Sequence, residues 1–251
     1  VGLSTFSTAD ELGELLRLCQ ETLGEIFYQS LLRYIGCNAE THAMAALFDD
    51  EIEFRRAFAL IDPGRASEMA GLVFTFLRRA NSNSGMLNMV TGMARGLMTG
   101  PKASAEILSG NCELAERLAQ RLGLSVSVQR NLGQLYERWD GRGMPNGLKG
   151  EAICQAVRIV CFAQDAIVLE AAFGDEAARA KLISRSGTAY EPGLAEKYLE
   201  NADSLMAGLD GVGWEEVLAL EPEPYVQLSE VQLDAACLAA ADFIDLKTPW
   251  S

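Results

Sequence analysis

Apolar positions recur at three- and four-residue spacing along nearly the whole chain, and sustained two-residue alternation is almost absent, so the pattern predicts an all-α fold. Thr8-Ala9-Asp10-Glu11 reads as a capping box, opening a helix whose apolar stripe runs Leu12, Leu15, Leu16, Cys19, Leu23, Ile26 and Phe27. The stretch from Phe27 to Tyr34 follows and stops at Gly36. Asp49-Asp50-Glu51 precede a helix from Ile52 to Leu60, which ends before Asp62-Pro63-Gly64. Residues Met69 to Met98 are apolar, with a break at Asn81-Ser82-Asn83-Ser84-Gly85. Further helices are predicted from Asn111 to Leu122, closed by Gly123, and from Ser125 to Trp139. The segment from Ala152 to Ala172 is apolar on almost every side and should therefore lie at the centre. Pro192 opens a helix to Met206, and Glu221-Pro222-Glu223-Pro224 is a short extended linker. Ser229-Glu230-Val231-Gln232 is a second capping box, leading into Leu233, Ala236, Cys237, Ala240, Phe243 and Ile244.

Composition narrows the classes. With 251 residues, 49% hydrophobic and 22% charged, the chain is an ordered globular protein of one large or two small domains. A net charge of -14 argues against nucleic-acid binding, because a phosphate backbone demands a basic surface. The six cysteines have no Cys-x-x-Cys pair and no zinc-knuckle spacing, so they read as reduced thiols of a cytoplasmic protein. Apolar runs fall short of the roughly 18 residues a membrane helix needs.

Chemistry concentrates in Tyr136-Glu137-Arg138-Trp139-Asp140-Gly141-Arg142-Gly143-Met144-Pro145-Asn146-Gly147-Leu148-Lys149-Gly150. Glycines and a proline should fix this loop in one shape, with Arg138, Asp140 and Arg142 as a polar cluster. The segment resembles the signature of bacterial HD-GYP proteins, His-His-Glu-Arg-Trp-Asp-Gly-x-Gly-Tyr-Pro-x-Gly-Leu-x-Gly. Leu31-Leu32-Arg33-Tyr34-Ile35-Gly36-Cys37 is similar to the Leu-Leu-His-Asp-Ile-Gly-Lys segment of that family, and Ala156 to Ala166 resembles its Ala-Arg-Ile-x-x-x-Ala-Asp helix.

What the resemblance implies is an HD-domain-like helical bundle whose metal ligands have been replaced. Leu135 and Tyr136 stand at the histidine positions, Arg33 and Tyr34 at the His-Asp pair, and Gln164 at a metal-binding aspartate. His42 is the single histidine, so an imidazole-rich metal site cannot be assembled. Residues 1–220 are thus expected to form a degenerate HD-GYP-like domain without catalytic residue, metal or cofactor. Residues 221–251 read as a linker and terminal helix leading into a second HD-GYP domain, since Ala241 to Ser251 resembles the lead-in to such a unit.

The main functional expectation is accordingly a catalytically inactive regulatory or dimerisation domain of a larger bacterial signalling or transcription regulator. Its expected partners are its own C-terminal HD-GYP or helix-turn-helix domain and a second copy, with neither nucleic acid nor membrane. One alternative is a sensor for a small molecule or cyclic nucleotide, with Arg33, Tyr34, Tyr136, Arg138, Asp140, Arg142 and Gln164 as candidate ligand-binding residues. The other is a metal-dependent phosphodiesterase with the atypical ligands His42, Asp49, Asp50, Glu51, Asp140 and Asp165.

Overall fold

A computed structural model describes residues 2–34, 51–80, 106, 108–207, 213–223, 225 and 227–245. The HD-domain-like, all-α bundle expected from the sequence is what these residues form: helices throughout, and two isolated bridges in place of any strand. In chain order the helices are α1 (Gly2–Leu15), α2 (Gln20–Leu32), α3 (Glu51–Leu60), α4 (Ala66–Ala80), α5 (108–121) and α6 (Val126–Leu132). After a 3₁₀ turn at Gly150–Ala152 come α7 (Gln155–Phe173), α8 (Asp175–Arg185), α9 (Pro192–Ala207), α10 (Trp214–Ala219) and α11 (Glu230–Asp245).

The all-round apolar segment is central, as its composition dictates. Nine residues of α7 are buried, and α1, α2, α3, α8 and α9 all pack on it. Its Phe162 meets the rings of Tyr190 and Tyr198 edge-on at 5.0 and 5.1 Å, a geometry that suits the ring quadrupoles. Gly174, at φ 79°, ends α7 in a backbone conformation that favours glycine, and its N–H donates to the Glu170 carbonyl. Asp175 and Glu176 then open α8 with charges of the sign that suits a helix N-terminus.

Of three smaller clusters among the described residues, two lie on the later helices α3 to α6. In one, Cys112, Ala115 and Ala119 of α5 pack with Leu124, Val128, Leu132 and Leu135. In the other, Phe54 of α3 packs with Leu72 and Phe76 of α4.

Several boundaries depart from the sequence pattern. Thr8 does not cap a helix: α1 begins by Gly2, and Thr8 is fully buried in its interior. Burial of Phe6 and Ala9 on either side carries helix through a residue that would otherwise favour a cap. The stripe from Leu12 to Phe27 is not one helix either. Arg17 at φ 54° turns the chain, and α2 folds back so that Leu12 and Ala9 share a core with Leu23 and Ile26. Gly13 permits this approach, since a Cβ there would lie 2.8 Å from Leu23 Cδ2.

The helix expected from Ser125 to Trp139 stops at Leu132. Ser125 does cap it, accepting from the Val128 N–H at 3.3 Å, but Gly133 ends it and the chain enters turns. Helices α8 and α10 were not visible in the apolar pattern. By contrast, the Ser229 capping box forms as expected: Ser229 N donates to Gln232 Oε1 at 2.9 Å, and Gln232 N to Ser229 Oγ at 3.4 Å. Gly36, the Asn81–Gly85 break and the Asp49-Asp50 pair lie outside the described residues. Among the described residues no helix is long and apolar enough to cross a membrane.

Candidate functional site

The signature loop is held from inside by Glu137. This carboxylate is buried and accepts two backbone N–H bonds, from Asn146 at 2.7 Å and Leu148 at 2.8 Å, which folds the second half of the loop over the first. Met144 N donates to the Tyr136 carbonyl at 3.0 Å, and a cis peptide joins Met144 to Pro145. Gly143 runs so close beneath that a Cβ would lie 2.5 Å from Glu137 Cα. The loop then docks on the segment between α8 and α9, with Trp139 N donating to Ala189 O and Asp140 N to Thr188 O.

Docking brings an arginine-rich polar cluster together. Arg138, 11% exposed, donates to Asp62 Oδ1 at 2.7 Å and lies 3.3 Å from Asp140 Oδ1. Asp140 Oδ1 also accepts from the Arg142 backbone N–H at 2.9 Å, while the Arg142 side chain is exposed. Asp62 is buried at 2% and receives Gly64 N at 2.9 Å as well. On the facing side of α7, Asp165 accepts from Tyr190 Oη at 2.6 Å and stands 3.7 Å from the Arg185 guanidinium. Arg185 is buried at 4% and bonds Tyr190 Oη and the Leu60 carbonyl. One turn earlier on α7, Cys161 accepts from Arg33 Nη1 at 3.0 Å.

Burial pushes the Asp165 carboxyl up, against the opposing pull of the Tyr190 hydrogen bond and of Arg185, Arg33 and Arg138. Burial also raises the Tyr190 phenol well above its ordinary range, so it is held protonated as the donor to Asp165. The Cys112 thiol is pushed up to about 12, chiefly by burial, and is inert at neutral pH.

The candidate residues separate as follows. Arg138, Asp140 and Arg142 form the polar cluster of the loop. Arg33 closes α2 and is nine-tenths buried against α7, whereas the next residue, Tyr34, is 39% exposed. Tyr136 is half-buried and packs on the cluster around Leu132 and Leu135. Gln164 is half-buried on α7, with its Oε1 buried and lacking a hydrogen-bond partner. Two shallow surface concavities, one bounded by Phe74, Thr75, Arg78 and Arg79 and one by residues of α8 and α9, include none of these seven.

Asp62, Arg185 and Tyr190 carry the cluster and were missed as site residues in the sequence. Asp62 had the local signature of a helix stop, and Arg185 and Tyr190 sit in no recognisable spacing. On α7 it is Asp165, one position beyond Gln164, that meets the arginines. Among the described residues no group of three or more His, Cys, Asp or Glu is placed to hold a metal. His42, Asp49 and Asp50 lie outside the described residues. Asp140 and Asp165 are engaged by Arg138, Arg185 and Tyr190, so the donors in view suit an anion better than a dication.

Comparison with known proteins finds similarity to phosphodiesterases. The chain matches no described protein-family profile. It is similar to 3'3'-cGAMP-specific phosphodiesterase 3 of Vibrio cholerae serotype O1, 24% identical over 245 residues, which is 96% of this chain and 52% of the relative. It is also similar to 3'3'-cGAMP-specific phosphodiesterase 2 of the same organism, 36% identical over 102 residues, 38% of this chain and 19% of that protein. The crystal structure of a cyclic GMP-AMP-specific phosphodiesterase of V. cholerae, V-cGAP3, superposes with a TM-score of 0.71 at 22% identity, covering 99% of this chain and 56% of that one. The chain therefore spans about half the length of the first relative and of the matched structure. These relatives are phosphodiesterases, which overturns the expectation of a degenerate, catalytically inactive regulatory domain of a transcription regulator. Replacement of the histidine ligands in this segment does not by itself decide activity, since the relatives it aligns with extend well beyond it. The chain has the fold of the matched half of V-cGAP3 and aligns along almost all its own length with part of a 3'3'-cGAMP-specific phosphodiesterase.

Proposed function

We propose that this chain forms part of a cytoplasmic phosphodiesterase that hydrolyses cyclic dinucleotides of the 3'3'-cGAMP class. The observation that carries this reading is the alignment across 96% of the chain with an enzyme of that specificity. It corresponds to the phosphodiesterase alternative weighed on the sequence. The free thiols among the described residues agree with a cytoplasmic setting.

The chemistry of the site supports the substrate class. A cyclic dinucleotide carries two phosphodiester anions, and guanidinium groups are the side chains best matched to phosphoryl oxygens. Arg33, Arg138 and Arg142 supply such groups on the α2 end and the signature loop, within a chain that is otherwise strongly acidic. Tyr34, Tyr136 and Gln164 add ring faces and an amide of the kind that recognise bases. Arg138 is spent on Asp62 and Asp140 and so shapes the loop, leaving Arg33 as the group that meets phosphate and exposed Arg142 as a charge that draws the anion in.

The test is hydrolysis of 3'3'-cGAMP, cyclic di-GMP and cyclic di-AMP by the protein as its gene encodes it, followed by chromatography with Mn²⁺ and with Mg²⁺. Conversion of 3'3'-cGAMP to a linear dinucleotide is expected. Absence of turnover of all three, by folded protein, sinks the reading.

A further inference from the structure

We propose that the Arg33 guanidinium is a binding site for a phosphate group of a nucleotide, seated between the end of α2 and the Cys161–Asp165 face of α7. The inference deepens the phosphodiesterase reading and rests on it for the identity of the nucleotide.

The argument begins with pairing. Around this part of α7 stand three guanidiniums, Arg33, Arg138 and Arg185, and three carboxylates, Asp62, Asp140 and Asp165. Asp62 and Asp140 both close on Arg138. Asp165 is nearest to Arg185, at 3.7 Å, and takes the Tyr190 hydroxyl. Arg33 is left without a carboxylate within 4 Å among the described residues, although it is only 9% exposed. Among the described residues its one hydrogen-bond partner is the Cys161 sulfur, a weak acceptor.

A permanently charged, nine-tenths buried guanidinium that meets, among the described residues, a thiol and the more distant charge of Asp165 is a site short of an anion. A planar fork favours a group that offers two oxygens side by side, and phosphate does. One turn along the same helix from Cys161, Asp165 keeps 30% of its side-chain surface open, an opening to solvent on this face. Gln164, on the same side of α7 three residues from Cys161, has a buried amide oxygen without a donor. A base or ribose attached to the phosphate supplies such N–H and O–H groups.

Binding is read by calorimetry in EDTA, which separates it from turnover, with three probes: 3'3'-cGAMP, the linear dinucleotide from its hydrolysis, and inorganic phosphate. At least one nucleotide is expected to bind the wild-type chain, roughly tenfold or more weakly to Arg33→Met, and with intermediate affinity to Arg33→Lys, which keeps the charge but not the fork. A preference for the cyclic probe marks a substrate site and a preference for the linear one a product site. Because Arg33→Met can impair folding, the alkylation rate of Cys161 in the wild-type chain is followed by peptide mass mapping. Saturating nucleotide should change it at least twofold while leaving exposed Cys19 and Cys237 unaffected. Equal binding to wild type and Arg33→Met, binding of inorganic phosphate alone, or an unchanged Cys161 rate overturns the proposal. Turnover without Arg33-dependent binding removes this site and spares the phosphodiesterase reading, whereas Arg33-dependent binding without turnover does the reverse.

Discussion

Arg138 and Asp62, 76 residues apart in sequence, meet at 2.7 Å with 11% and 2% of their side chains exposed. The contact ties the signature loop to the turn between α3 and α4, and Gly64 leaves the room it needs: a Cβ there would fall 2.5 Å from Arg138 Cζ.

Removing one partner leaves the other with its weaker contact, Arg65 at 3.5 Å for Asp62 and Asp140 at 3.3 Å for Arg138. Arg138→Met is expected to destabilise by about 1.5–3 kcal/mol in urea denaturation, the range for a hydrogen bond to a charged group. The double variant Arg138→Met with Asp62→Asn should cost clearly less than the sum of the two single changes. Strict additivity would show that the pair contributes nothing to the fold.

Glu137 is the internal clamp of the loop, and its two bonds to Asn146 and Leu148 require two acceptor oxygens. Glu137→Gln keeps one acceptor and turns a donor toward the other N–H, so a loss of about 1.5–3 kcal/mol is expected. Gly143→Ala should cost a comparable amount, about 1–3 kcal/mol, because its Cβ collides with the Glu137 backbone. Thermal unfolding measures both, and unchanged midpoints would disprove the clamp.

Asp10 is 7% exposed in α1, and burial, then Glu14 and Glu11, push its carboxyl up to about 6. The folded chain therefore holds this proton more tightly than the unfolded chain, whose carboxyl titrates near ~3.9. The contribution to stability is greatest below that unfolded value and is lost as pH rises through about 6. Asp10→Asn should gain about 2–3 kcal/mol at pH 8, with the gain vanishing below roughly pH 4. Denaturation across that pH range checks it, and a gain independent of pH would refute the assignment.

Arg142 contributes to the loop through its backbone N–H, while its side chain is exposed. Arg142→Ala should change stability by less than about 0.5 kcal/mol. If its charge draws in an anionic dinucleotide, kcat/KM for 3'3'-cGAMP should fall roughly twofold to fivefold at low salt and recover in high salt. A salt-independent loss would instead point to a direct contact.

The extent to which the chain announces its structure differs from one element to the next. Residues Gln155 to Phe173 show their central place at once, because a helix apolar all round can only be stable when surrounded. Ser229 with Gln232, and Gly123 after α5, mark helix ends through local bonds and φ preferences that need no distant partner. Glu137, Arg138 and Asp140 were recognisable as a unit because they lie within a short run of glycines. Thr8 misled because its own preference for a cap is outweighed by the burial of Phe6 and Ala9, which only packing reveals.

Period and local chemistry thus determined that the protein is all-α, which helix is innermost, and where its signature loop lies. Tertiary structure alone decided that Asp62 receives Arg138, that Asp165 and not Gln164 faces Arg185 and Tyr190, and that Arg33 is buried against Cys161 with no carboxylate within 4 Å among the described residues. The reason is physical: a charge's partner and its exposure are set by elements that meet only after the chain has folded, and no spacing along the sequence encodes a distance across 76 or 128 residues.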